Sequence, residues 1–168
     1  YAYRYASVPY DLRLSVEKLL PDIEVVQLAE VGITPEKFSS ALTALYNISQ
    51  TGVYQLQVEI PAGYTVRSVQ GVGQSDYEPF VVESFDFQKR PASEAEGTED
   101  QILMVNLGRR ALGKFGLAVN IDKVIKDPNL GQPTGEVSEL VLPVPRVHPE
   151  SVNRGRGNLL IYATENLR

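Results

Sequence analysis

A lone histidine, a run of carboxylates, an Asx-Gly loop and two basic clusters are the residues of this chain whose types and spacing suit chemistry or recognition. His148 is the only histidine, and it sits in Pro143-Val144-Pro145-Arg146-Val147-His148-Pro149. Serine hydrolysis needs an imidazole held beside a nucleophile. The Gly-x-Ser-x-Gly elbow that would present such a serine is absent. Flanked by prolines, His148 reads instead as an exposed residue of an extended segment. Asp76, Glu78, Glu83 and Asp86 lie close in sequence, and glycoside hydrolysis draws on two such acids across a cleft. Acids beside loop tips are more simply solvated, and without tryptophan there is no obvious sugar platform.

Asp127-Pro128-Asn129-Leu130-Gly131 places oxygen ligands two residues apart ahead of a glycine, which is how a calcium loop begins. The pattern then departs. Ser138 stands where the bidentate glutamate belongs, and Pro133 intervenes, so only Glu136 is left to close a site with Asp127 and Asn129. An Asx-Gly turn accounts for the same residues without metal. Calcium is the one cofactor these residues suggest. Gly71-Val72-Gly73 and Gly155-Arg156-Gly157 do not sit between a strand and a helix, so tight turns or bulges explain them better than a phosphate cradle. Arg109 and Arg110, with Lys114, form one basic tip, and Arg154 with Arg156 another; either suits an acidic partner surface. Tyr1, Tyr3 and Tyr5 share one face of an extended N-terminal segment, an expected edge strand open to pairing. Asn47-Ile48-Ser49 matches the glycosylation sequon only formally.

The elements that position these residues are strands. Tyr54, Leu56, Val58 and Ile60 alternate with Gln55, Gln57 and Glu59, and Phe115, Leu117, Val119 and Ile121 with Gly116, Ala118 and Asn120. A period of two puts each apolar set on one strand face. Leu12–Val16 and Leu42–Ile48 alternate similarly. Further strands are expected at Ile23–Val31, Tyr64–Val69, Phe80–Phe85, Ile102–Leu107, Val137–Val144 and Asn158–Ala163. Gln50-Thr51-Gly52 and Gly108–Gly113 read as hairpin turns, and Pro61-Ala62-Gly63 as a strand end. Thr34-Pro35 looks like a helix start, but alternation persists beyond it to Ile48. The sum is an all-β, sandwich-like antiparallel domain of about ten strands with little helix. Its core is expected from Leu14, Leu42, Tyr54, Leu56, Val58, Leu117, Val119 and Ile121. Lys89–Gln101 and Asp127–Glu136 are surface excursions.

Length and composition agree with this. The 168 residues, 43% hydrophobic and 22% charged, suit one globular domain spanning 1–168. A net charge of -5 argues against nucleic acid, which requires a basic face. No apolar run reaches the roughly 20 residues of a membrane helix. The absence of cysteine removes disulfides and thiolate chemistry and leaves the compartment open. The start at Tyr1 is what a processed chain or a piece of a larger protein would give.

Asn47 through Tyr64, in which a Gly-Val-Tyr strand ends in Pro-Ala-Gly before another strand, resembles β-rich segments of large bacterial envelope proteins. Leu142-Pro143-Val144-Pro145 leading to Arg154-Gly155-Arg156-Gly157-Asn158-Leu159-Leu160-Ile161 is similar to a recurring element of the same proteins. The resemblance covers about a quarter of the chain and implies an exported, multidomain parent and an extracytoplasmic location. It supplies no catalytic residues. The expectation is a non-catalytic structural or interaction module whose partners are neighbouring domains or another protein. A carbohydrate- or ligand-binding module of the same fold, using tyrosines such as Tyr64, Tyr77 and Tyr162, is the alternative; a hydrolase is the more remote one.

Overall fold

In the computed structural model, which describes residues 15–89, 101–125 and 143–163, the alternating segments join into longer strands than their turn signals suggest. In chain order these are β1 (Asp22–Ile33), β2 (Lys37–Ile60), β3 (Thr65–Gly71), β4 (Glu78–Pro79), β5 (Val82–Lys89), β6 (Gln101–Val124), β7 (Arg146–Val147) and β8 (Arg154–Ala163). Among the described residues the only helical element is a short 3-10 turn at Pro149–Ser151. The helix-start signal at Thr34 is a strand turn. Its hydroxyl accepts from Lys37 N at 3.0 Å, as an N-cap would, but Thr34 N donates to Lys37 O and closes the β1–β2 hairpin.

The frame is one antiparallel ladder of β2 against β6, each 24 residues long. Lys37–Ile48 pairs with Val124–Gly113, and Gln55–Ile60 with Asn106–Gln101. Between these halves the register shifts twice. The two expected hairpins are therefore corrected: Gln50-Thr51-Gly52 and Gly108–Gly113 face one another inside the ladder as bulges, which bend strands sharply. Gln50 has φ 63° and Gly113 φ 113°. A Cβ on Gly52 would stand 2.6 Å from Ala111 O, so the close backbone approach at the bend requires glycine there.

Chain continuity shows what the bend does. Only residues 61–64 join the end of β2 to β3, a reach of at most about 18 Å, yet Thr65 lies opposite Asp122, which pairs with Ser39 at the other end of the ladder. A straight strand of that length would extend about 80 Å. The ladder is folded back on itself, and its two halves face each other as the layers of a sandwich-like all-β domain. One half is widened by β1, β8 and β3, the other by β5 and β7. The sheet is mixed rather than purely antiparallel, because β1–β8 and β4–β6 pair in parallel.

Between the layers lie Phe38, Leu42, Tyr46 and Ile48 from the first half of β2, Leu56, Val58 and Ile60 from the second, and Leu103, Val105, Leu117, Val119 and Ile121 from β6. Burying each large side chain contributes on the order of 1.5–3 kcal/mol. Phe80 stacks on Phe115 and meets Tyr46 edge-on. Tyr54 is a correction to the expected core: it is 63% exposed, because the register shift beside it breaks the phase of the alternation. Leu14 lies outside the described residues, as do most of the strands expected at Leu12–Val16 and Val137–Val144. Ser15–Leu20 forms neither strand nor helix and is exposed.

Candidate interaction surface

Strand β8 extends the sheet beyond β1 and is anchored at its beginning. Asn153 N donates to Ile23 O (2.9 Å), and Asn153 Oδ1 accepts from Ile23 N (2.8 Å). Arg154 then pairs with Glu24 (2.9 Å) and reaches toward Asp22 (3.7 Å). The parallel register runs from Glu24–Arg154 to Ile33–Ala163. Every residue of β8 is exposed. Leu159, Leu160, Ile161 and Tyr162 are 52%, 41%, 59% and 55% exposed, a run of bulky apolar side chains along a sheet edge. Among the described residues β8 pairs only with β1, which makes it an edge strand of the described sheet. Strand β5, in the other layer, also shows Phe85 and Phe87, but interleaved with Ser84, Asp86 and Gln88.

Beside β8 runs a groove of about 250 Å³ lined by Val25, Val147, Val152, Gly155 and Gly157 among others. A Cβ at 157 would sit 2.8 Å from Gln27 Cγ, so a larger residue there has to displace the Gln27 side chain. Gln27 passes beneath this strand and accepts a hydrogen bond from Val147 N (2.9 Å), tying the β1 layer to β7 in the other. Gly155-Arg156-Gly157 is therefore the interior of an edge strand, not a turn, and Arg154 and Arg156 lie along it rather than at a tip.

The histidine expectation is also corrected. His148 is 6% exposed. Its Nδ1 lies 2.7 Å from Oε1 of the buried Glu59, and its backbone N donates to Gln57 O. Arg146 Nε donates to the other oxygen of Glu59. Burial pushes the Glu59 carboxyl up, but hydrogen bonds from Arg146 and His148 outweigh it and hold the group below its ordinary range. Ser151 is turned to the His148 carbonyl, so its hydroxyl donates to backbone. The arrangement fastens β7 over the end of β2. Sequence alternation placed Glu59 outward and offered no sign that β7 would cover it.

Other predicted residues are engaged within the chain. Arg110 bonds Thr51 Oγ1 and Gly52 O across the bend, and Arg109 lies 3.6 Å from Glu78. Lys114 pairs with Asp76, and this hydrogen bond lowers the pKa of Asp76. Glu83 and Asp86 are exposed around β5. Tyr64 packs on Phe38 and Lys123, and Tyr77 lies beneath Lys114. Tyr162 borders an open groove, of about 380 Å³, with Lys37, Arg67, Asn120 and Asp122. There Asp122 is buried and bonded to Arg67 (2.7 Å) and Lys37 (2.9 Å), which lower its pKa. Tyr1, Tyr3, Tyr5, Asp127, Asn129 and Glu136 lie outside the described residues.

Fold and surface together define a sandwich-like all-β domain with an open, apolar edge strand. No protein-family model matches the chain, and no curated protein does. Among solved structures it is similar to an M1 zinc metallopeptidase from Deinococcus radiodurans, with a TM-score of 0.37 and 14% identity over 67% of this chain and 23% of the peptidase. It is also similar to a non-cellulosomal cohesin from the hyperthermophilic archaeon Archaeoglobus fulgidus, with a TM-score of 0.36 and 14% identity over 86% of this chain and 94% of the cohesin. The chain thus spans about a quarter of the peptidase.

Proposed function

We propose that this domain is a non-catalytic interaction module that receives an extended segment of a partner protein along β8. The observation that carries this reading is the uninterrupted exposure of β8, with Leu159–Tyr162 bare on a strand edge. Sheet edges of natural proteins are usually blunted by charge, proline, bulges or cover. The second half of β8 has no charge or proline, so its form suits strand addition, in which backbone hydrogen bonds give affinity and side chains give selectivity. The resemblance to envelope-protein segments supports an exported parent, with a neighbouring domain or a second protein as the source of that segment. A photoreactive residue at Ile161 is expected to yield covalent adducts in the native host, while the same residue at Leu112, exposed at the bend, gives none. Equal labelling at both positions, or none at Ile161, overturns the reading.

A second reading, carbohydrate recognition, is favoured by Tyr162 beside the groove of Arg67, Asn120 and Asp122. Glycan-array binding that Tyr162→Ala abolishes supports it; an array without signal removes it.

A further inference from the structure

We infer that the strand received by β8 is β8 of a second copy of this chain, paired antiparallel about Asn158. This rests on the reading of β8 as the interaction surface and adds the identity of the occupant. The strand divides at Asn158 into a half with small and basic residues, Arg154-Gly155-Arg156-Gly157, and a bulky half, Leu159-Leu160-Ile161-Tyr162. Directly opposed residues of an antiparallel pair share a face and touch. Centring the pair on Asn158 sets Leu159 of each copy against Gly157 of the other, and Ile161 against Gly155.

These glycines line the groove beside β8, together with Val25, Val147 and Val152 and with the polar Gln27 and Asn153. Each copy therefore offers two bulky apolar side chains and, on the same face, two glycines that present no side chain of their own to a neighbouring strand. On the other face Arg156 opposes Leu160, and Arg154 opposes Tyr162. There the arginine stems cover apolar surface and a guanidinium can lie over the ring. Arg154 keeps its Glu24 partner within its own copy.

Parallel pairing of the same strands sets arginine against arginine and leucine against leucine, with like charges directly opposed. It also sets glycine against glycine, so that no bulky side chain meets a small partner. Only the antiparallel arrangement is closed by a two-fold axis, in which the same surface serves both partners. A strand of unrelated sequence would have no reason to match both halves at once.

The chain has no cysteine, so crosslinking is unambiguous. Oxidation of Asn158→Cys is expected to give a covalent dimer in high yield, because the two-fold axis brings this position against itself. Val81→Cys, also exposed and distant in sequence, is expected to stay monomeric. Sedimentation equilibrium of the unmodified chain is expected to show a dimer in the micromolar range. Ile161→Lys, a surface change whose folding is checked by circular dichroism, is expected to weaken it at least tenfold. A chain that is monomeric throughout that range overturns the inference, as does crosslinking at Leu160→Cys in place of Asn158→Cys. Should the chain be monomeric while Ile161 adducts contain a different protein, this inference falls and the interaction surface stands; should β8 neither self-associate nor form adducts, both fall.

Discussion

The rings of Phe38 and Tyr64 meet edge-on with centroids 5.4 Å apart, although one residue opens β2 and the other follows its far end. That contact exists only because the β2–β6 ladder bends back at its middle. Phe38 is fully buried at the seam where the two layers close. Phe38→Ala is expected to cost about 3–5 kcal/mol in urea unfolding. A loss under about 1 kcal/mol would mean that the layers do not close there.

The bend depends on glycine at position 52. Gly52→Val places side-chain atoms against the Ala111 carbonyl, and it is expected to destabilise the domain by about 1–3 kcal/mol. Thermal melts of the two proteins measure this. An unchanged midpoint would show that the strands separate at Gly52 rather than crowd.

Glu59 and Asp122 predict a particular acid response. Their carboxyls, ordinarily at 4.5 and 3.8, are lowered in the folded chain. The unfolded chain therefore takes up protons first as pH falls, so their contribution is complete above about pH 5 and is lost as pH drops through the folded values. Melting temperature is expected to decline from pH 5 toward pH 3. Glu59→Gln, which strips the carboxylate from His148 and Arg146, is expected to cost about 1–3 kcal/mol at neutral pH and to flatten that decline. An unchanged slope in the variant would remove Glu59 from the account.

Tyr46 makes the opposite case. Its hydroxyl is buried with no hydrogen-bond partner among the described residues, and burial pushes its pKa far up. Tyr46→Phe removes a desolvated group and no bond, so stability is expected to hold within about 0.5 kcal/mol or to rise. A loss above that range would reveal a partner for the hydroxyl.

The strands were legible in the sequence because alternation is local. Leu42 to Ile48, Leu56 to Ile60 and Phe115 to Ile121 all face the core as their period demands. The bend was not legible, since Gln50-Thr51-Gly52 suits a hairpin turn and a bulge equally, and only the facing Gly108–Gly113 segment decides between them. The burial of His148 depends on β7 meeting a strand 89 residues away, which no local pattern encodes. Leu159–Tyr162 was readable as a strand, but an unbroken apolar run fits a buried central strand as well as an open edge. Its exposure follows from strand order alone.

Amide hydrogen exchange of β8 in dilute solution tests the open edge most directly. The structure predicts an alternating pattern, with amides bonded to β1 protected and the intervening ones, directed away from it, exchanging nearly as freely as unstructured chain. Uniform protection along Arg154–Ala163 in the dilute monomer would mean that the edge is already covered from within the same molecule, and would contradict its role as the interaction surface.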